Sequence, residues 1–338
     1  MAAPTGQGTL GHLGSLTTMR LKHGSYSLAG SSGGGGGPIV IDFLVIAGGG
    51  AGYGVTPGQV GGGGGGAGGY RTSKTGQLSG QNSVAQTPIT YSVPFTIVVG
   101  GGGPFGTSYD TNGMYMGSNG TASSAGAVTT VNGASGNWHS AIPSLQGGSG
   151  GGATDTTYNA GANAGLGTTN EGFAGSVSTR YPGTGRSSGG GGGAGQLGQG
   201  NGDGGAGLSS NIILESTGVY RAGGGGGGVG INPAIAAAVG GNGGGGAGGV
   251  GYLGVISPVP VAGTANTGGG GGGAGTYNIN PAYGTNGGSG IVILRWLTAS
   301  ASLTVGVGLT TNPVSSNHTD GLYSIREFTN GSGTVTFA

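Results

Sequence analysis

Three short stretches of the chain are almost entirely apolar, and each has the length of a β-strand. They are residues 39–46 (IVIDFLVI), 93–99 (VPFTIVV) and 290–296 (GIVILRW). A continuous apolar run of this length is typical of a strand whose two faces are both covered. We therefore expect the three stretches to lie together in one small β-sheet that clamps the ends of the region between them.

Beyond residue 297, apolar and polar residues alternate, as they do in a strand with one buried face. Leu303, Val305 and Val307 alternate in this way, and residues 322–328 (LYSIREF) do so as well. Residues 329–333 (TNGSG) have the composition of a hairpin turn before the last stretch, 334–338. The pattern predicts a β segment over residues 298–338 that closes with a hairpin.

The first residues of the chain differ from the rest. Apolar residues there are loosely spaced, at Leu10, Leu13, Leu16, Met19 and Leu21. This pattern indicates either a short helix or an assembly arm. We therefore divide the chain into an N-terminal assembly or attachment segment (1–37), a glycine-rich domain with flanking strands (38–297) and a C-terminal β segment (298–338).

Between the apolar strands the chain repeats runs of four to six glycines. The runs are 61–66, 189–193, 223–228, 243–246 and 268–273. Glycine inside a helix or strand costs roughly 0.5–1 kcal/mol relative to alanine, so repeated runs imply packing that only glycine allows. In polyproline-II geometry the backbone groups all point outward, and neighbouring chains can bond through them if no Cβ intervenes.

The first side chains after three of these runs come three residues apart. They are Ala67 and Tyr70, Ala247 and Val250, and Ala274 and Tyr277. A three-residue period places each pair on one edge of a polyproline-II helix, facing away from the interior of a bundle. The predicted fold class is mainly non-helical: a bundle of polyglycine/polyproline-II helices with a small β-sheet at its base and a C-terminal β tail. The alternative is a flexible glycine-rich linker.

Composition excludes several functional classes. Glycine makes up 97 of the 338 residues, but charged residues are only 5% and the formal net charge is +1. So low a charge does not favour nucleic acid or an anionic membrane as a partner, nor does it resemble ordinary disorder. The chain has no cysteine for a disulfide. It also has no apolar stretch of about 18 residues, so we expect no membrane insertion. It has no basic, apolar leader either, so we expect the protein to be released by lysis of the host cell.

Motifs for catalysis or metal binding have little support. Residues 47–54 (AGGGAGYG) imitate a dinucleotide-binding turn, but six glycines follow shortly afterwards where that motif requires a helix. The eight acidic residues form no local pair, and the four histidines are scattered. Fragments resembling calcium loops, at 110–113 and 200–203, are interpreted as turns. We predict that the chain is not an enzyme and has no cofactor and no metal.

Polar connectors rich in tyrosine and methionine are the candidate recognition elements. Such side chains give adaptable contact area. The candidate receptor-binding residues are Tyr109, Met114, Tyr115, Met116, Trp138, Tyr158 and Tyr181. The alternative interpretation is that these aromatic residues pack over the ends of the glycine segments and have no partner outside the chain.

Four stretches carry a family resemblance. Residues 43–52 (FLVIAGGGAG), 61–73 (GGGGGGAGGYRTS), 263–275 (GTANTGGGGGGAG) and 287–296 (GGSGIVILRW) resemble the glycine-rich domain of bacteriophage tail fibre and tail-associated proteins. Residues 319–338 resemble the β tail that often follows this domain. The family is similar in principle to polyglycine-II tail-fibre-tip adhesins, in which a rigid scaffold carries variable loops at one end.

The resemblance implies a function in host attachment. The implied partners are a host cell-surface receptor and other virion or tail proteins, or copies of the chain itself, held through the N-terminal segment. It implies a homo-oligomer, with a trimer as the candidate, and a place in the virion tail outside the host cell. It supplies no matched receptor-binding residue.

Two other functions remain open from the sequence. A structural fibre or filament subunit would use residues 1–37 and 298–338 for contacts between copies. An ice-binding protein would need small residues at three-residue spacing on one face, and Tyr70, Val250 and Tyr277 fit that requirement poorly.

Overall fold

A computed structural model describes residues 38–338 except 56–58, 110–114, 137–145, 157–162, 182–184, 231–234, 253–254, 276–281 and 313–320. Of the described residues, 37% lie in strands and 1% are helical. The strands up to residue 130 are β1 (Ile39–Ile46), β2 (Gln59–Gly61), β3 (Tyr70–Thr72), β4 (Leu78–Ser79), β5 (Ser83–Val84), β6 (Ile89–Tyr91), β7 (Phe95–Val99), β8 (Phe105–Tyr109), β9 (Tyr115–Gly117), β10 (Ser123–Ala125) and β11 (Val128–Thr130). A single 3₁₀ turn, Gly80–Asn82, separates β4 from β5.

The remaining strands are mostly short, with three longer exceptions. They are β12 (Asp155–Thr156), β13 (Thr179–Tyr181), β14 (Gly185–Ser187), β15 (Leu208–Leu214), β16 (Thr217–Arg221), β17 (Val229–Gly230), β18 (Val250–Tyr252), β19 (Val255–Ile256), β20 (Ile291–Leu297), β21 (Leu303–Val305), β22 (Leu309–Asn312) and β23 (Tyr323–Phe337).

Among the described residues, ten strands form one large antiparallel sheet. Its main order is β11-β10-β7-β23-β20-β1-β3, with β21 and β22 also paired to β23 and β6 paired to β1. The expectation that the three apolar stretches share one sheet is confirmed, because β1 pairs with β20 and β7 reaches β20 through β23. Their inward side chains, including Phe43, Ile97 and Leu294, form a buried apolar cluster together with Phe328 of β23.

The C-terminal residues occupy the middle of this sheet. Strand β23 runs unbroken for 15 residues, with β20 and then β7 along one edge and β22 and then β21 along the other. The predicted hairpin turn at 329–333 is therefore wrong. Gly331 adopts a φ of 91° beside an irregularity in the β22 pairing, so the glycine gives a local distortion within the strand and not a reversal.

The glycine segments are held by backbone hydrogen bonds to several neighbours. Successive residues Gly64, Gly65 and Gly66 donate their N–H groups to Gly189, Gly271 and Ala134, over 3.0, 2.9 and 2.7 Å. A Cβ built on these three glycines would collide with carbonyl groups of three further segments. The approach of the backbones therefore excludes side chains at these positions.

The predicted fold class is wrong. A bundle of polyglycine/polyproline-II helices with only a small sheet does not describe an architecture whose main element is a ten-stranded antiparallel sheet in the described part of the chain. The C-terminal residues form a central strand of that sheet and not a separate tail. The outward placement of Tyr70 and Val250 is also wrong, because their exposed fractions are 0% and 7%.

A second set of pairings lies at the opposite end of the glycine segments, which we name the distal end. Val55 pairs with Ala282, and Gly61 pairs with both Asp155 and Gly275. Strand β17 pairs with β14 on one side and with β18 on the other at the same end, beside β2. The glycine segments thus run between two paired regions.

The predicted assembly segment, residues 1–37, lies outside the described residues. The three-part division of the chain stays a prediction. Strands from both 38–297 and 298–338 contribute to the ten-stranded sheet. Within the described part, no helix has the length and apolar character needed to cross a membrane.

Substituting Gly65 by alanine tests the packing of the glycine segments. The new Cβ would collide with the carbonyl group of Gly50, so we expect Gly65→Ala to lower the free energy of unfolding by about 1–3 kcal/mol. Gly101→Ala is the matched control, because its Cβ would meet only Thr121 Oγ1, at 3.8 Å. Chemical denaturation measures both, and equal stability of the two variants would contradict the packing argument.

Candidate functional site

Three aromatic rings meet at the distal end. Tyr115 lies 6.3 Å from Phe105 and 4.9 Å from Tyr283 between ring centroids, and Phe105 lies 5.7 Å from Tyr283. Tyr115 is only 3% exposed, whereas the Tyr283 side chain is 46% exposed and neighbouring Met116 is 49% exposed. The cluster therefore presents the Tyr283 ring to solvent over a packed aromatic base, and Met116 is an exposed neighbour of Tyr115 on β9.

Backbone contacts place these rings on the end of a glycine segment. The Gly54 N–H donates to the Tyr115 carbonyl oxygen over 3.2 Å, and the Phe105 N–H donates to Asn286 Oδ1 over 2.7 Å. A Cβ on Gly54 would lie 2.8 Å from both the Phe105 ring and the Tyr115 Cβ. Glycine at position 54 thus allows the β8–β9 pair to sit directly over the segment.

The predicted receptor-binding residues have different places in the structure. Tyr109 ends β8 and pairs in register with Tyr115, and Tyr181 ends β13. Met114, Trp138 and Tyr158 lie outside the described residues. Tyr115 is buried and lies against Gly54. The receptor-binding role of the seven residues stays a prediction.

Sequence reasoning missed Phe105 and Tyr283. Tyr283 is about 170 positions from Tyr115, so nothing in its local pattern indicates that the two rings touch. The available signal was weak: Tyr283 lies in a polar connector of the same composition as those of the predicted residues. Phe105 follows the glycines 100–103 and Pro104 directly, which marks the point where a side chain can first pack over the end of that segment.

Charged side chains gather instead beside the ten-stranded sheet. Buried Arg295 donates to Asp42 Oδ2 over 3.0 Å and to Glu215 Oε1 over 2.7 Å. Its guanidinium carbon also lies 3.5 Å from the ring centroid of Tyr323. Lys74 Nζ approaches the same Glu215 oxygen to 3.0 Å. These contacts fix the turn between β15 and β16 against strands β1 and β20.

The carboxylate of Glu171 is fully buried. Its Oε1 accepts a bond from Arg71 Nε over 2.9 Å, and its Oε2 accepts a bond from the Val131 N–H over 2.6 Å. Burial raises the pKa of this carboxyl, while the Val131 N–H and the Arg71 guanidinium act in the opposite direction. The side chain joins two distant parts of the backbone and has the geometry of a structural contact.

Tyr70 packs against β15, and Arg221 is the last residue of β16. Burial raises the pKa of Tyr70 to about 12, against the opposing effects of the Ser210 hydroxyl and of Arg221. Burial likewise lowers the pKa of Arg221, against the opposing charge of Glu327. The described residues contain no cluster of three or more His, Asp or Glu side chains that could hold a metal ion.

Substitutions at Tyr115 separate a packing role from a binding role. Tyr115→Ala removes a buried ring, so we expect the free energy of unfolding to fall by about 3–5 kcal/mol. Tyr115→Phe keeps the ring, and Met116→Ala changes an exposed side chain, so both should stay within about 1 kcal/mol of the original chain. Denaturation curves measure the three variants, and a stable Tyr115→Ala would show that the ring does not support the fold.

Tyr70→Phe tests the buried phenol through pH. A pKa raised from 10.0 to about 12 in the folded state means that the unfolded chain loses the proton first, so folding stability falls as pH rises from 10 to 12. The loss should reach about 3 kcal/mol above pH 12. The phenylalanine variant should lack this component in denaturation experiments between pH 8 and 12. Parallel curves for the two proteins would contradict the assignment.

Comparison with known protein families identifies the glycine-rich part of the chain. A family model described as a glycine-rich domain matches residues 37–297. No curated protein matches the chain. The matched residues include the glycine segments, the aromatic cluster, strand β1 and strand β20. Because the match spans well over half of the sequence, the chain belongs to the family of glycine-rich domain proteins.

Proposed function

We propose that the chain is a bacteriophage tail fibre or tail-tip adhesin whose glycine-rich scaffold presents loops to a host receptor. The observation that carries this proposal is the aromatic cluster of Phe105, Tyr115 and Tyr283 at the distal end. Its buried base and exposed edge are the features of a preformed contact surface.

The arrangement of the described segments supports the same proposal. Residues 55, 61, 109, 230 and 275 lie at the distal end, and each adjoins or closely precedes a connector between glycine segments. Connectors on a rigid framework can vary without disturbing it. A scaffold held by backbone hydrogen bonds therefore suits the presentation of several loops side by side.

The chemistry of the exposed edge favours a protein or saccharide receptor. Tyr283 and Met116 offer large uncharged contact area at low ordering cost. In this proposal the N-terminal segment attaches the chain to other tail proteins or to further copies of itself. The assembled protein is a homo-oligomer, and it is located in the virion tail. The resemblance described above is the source of these partners.

Binding to bacterial cells tests the proposal. We expect the purified full-length chain to bind cells of at least one strain in a panel, measured by flow cytometry with labelled protein. Met116→Lys combined with Tyr283→Lys should reduce binding at least about tenfold, because two charges enter an uncharged contact surface. Val84→Lys is the matched control, because Val84 is 81% exposed and lies on β5, away from the cluster.

Two further measurements give contrary outcomes. Mass spectrometry should detect the chain in purified particles of a phage whose genome encodes it. Absence of the chain from the particles of every such phage would contradict a virion role. Regular polymers of the isolated protein in electron micrographs, together with no cell binding, would favour the filament subunit instead.

A further inference from the structure

An open groove lies beside the ten-stranded sheet, on the surface of the β15–β16 pair. Its volume is about 900 Å³, within the range of small-molecule sites. The turn at residues 76–78 forms one wall, residues 195–196 form another, and the two strands form the floor. The groove is separate from the aromatic cluster at the distal end.

The amide groups in the groove are held in place by one another. Ser210 Oγ donates to Gln77 Oε1 over 2.8 Å, and Gln77 Nε2 donates to Asn211 Oδ1. Asn211 Nδ2 in turn donates to the Glu215 carbonyl oxygen over 3.1 Å. Each amide nitrogen has a second hydrogen and each amide oxygen a second lone pair. The groove thus offers donors and acceptors that are already oriented, so a ligand that bonds to them causes little further loss of side-chain conformational entropy.

Glu215 adds a fixed carboxylate to this lining. Arg295 and Lys74 both contact its Oε1, and among the described residues no side chain bonds to Oε2. The two cations are thereby paired with Glu215, and Arg295 also with Asp42. Neither cation lines the groove, and the described lining holds no Lys or Arg, so an anionic ligand would gain little attraction there.

Tyr220 provides an aromatic face in the same groove. It lies on β16, pairs in register with Ser209 and is 48% exposed. An exposed ring beside oriented amides can pack against the C–H face of a ligand whose hydroxyl groups bond to the polar side chains.

We propose that this groove binds a neutral saccharide. Hydroxyl groups both donate and accept, which matches Gln77, Asn211 and the free carboxylate oxygen of Glu215. The apolar face of a sugar ring matches Tyr220, and a lining that holds the Glu215 carboxylate and no Lys or Arg disfavours sialylated or sulfated sugars. The inference does not rest on the adhesin proposal, because it concerns a separate surface.

An oligosaccharide array tests this site with the full-length chain. The probes are neutral oligosaccharides of glucose, galactose, mannose and N-acetylglucosamine, with sialylated and sulfated counterparts. We expect binding to at least one neutral probe, weakened about tenfold by Tyr220→Ala and by Asn211→Ala. Val219→Ala, the neighbouring exposed position that does not line the groove, should bind as the original chain does.

Three results would overturn the proposal: no neutral probe bound more tightly than about 10 mM, preference for the charged counterparts, or binding unchanged in folded Tyr220→Ala. Met116→Lys with Tyr283→Lys should leave the binding that depends on Tyr220 and Asn211 unchanged, so failure of this site and failure of the adhesin surface are distinguishable. Denaturation curves confirm that each variant is folded.

Discussion

Contact between backbones that have no side chain between them is the constraint on which the rest of the described structure depends. Gly64, Gly65 and Gly66 each bond to a different neighbouring segment, and each lies against the carbonyl group of yet another. Because buried backbone groups must be paired, this mutual bonding lets a region with few large apolar side chains remain closely packed. The glycine content of the chain follows from that geometry.

Apolar burial is concentrated at the sheet. One cluster, which includes Phe43, Leu294 and Phe328, lies on one face, and a second, which includes Leu44, Tyr70 and Ile212, lies on the other. The second cluster holds the β15–β16 pair against the sheet, and the ion pairs of Arg295 with Asp42 and Glu215 lie at its border. Hydrophobic burial at the sheet thus complements the hydrogen bonds of the glycine segments, which supply little of it.

This division of forces leaves two surfaces of different character. At the distal end, the rings of Phe105, Tyr115 and Tyr283 rest on a glycine segment and expose an uncharged edge. Beside the sheet, the groove at Tyr220 is lined by amides and by a carboxylate whose cations are already paired. Neither surface depends on free charge, in agreement with a chain of which only 5% of residues are charged.

The sequence by itself determined that residues 39–46, 93–99 and 290–296 contribute strands to one sheet, because continuous apolar runs of that length need cover on both faces. It also indicated that the glycine runs serve backbone packing, since repeated runs that cost stability imply contacts that only glycine allows. Local patterns could not decide how large the sheet is. Alternation in residues 322–328 shows that a strand forms, but its partners on both edges come from elsewhere in the chain.

Only the tertiary structure decided which distant residues meet. The three-residue spacing after the glycine run predicted that the Tyr70 side chain faces outward. In the structure that side chain is covered by Ile212, which lies more than a hundred positions away in the sequence. The aromatic cluster and the groove likewise join residues that are far apart in sequence, such as Tyr115 with Tyr283 and Gln77 with Asn211. Such contacts depend on how all segments pack together, and the pattern within any one segment does not contain that information.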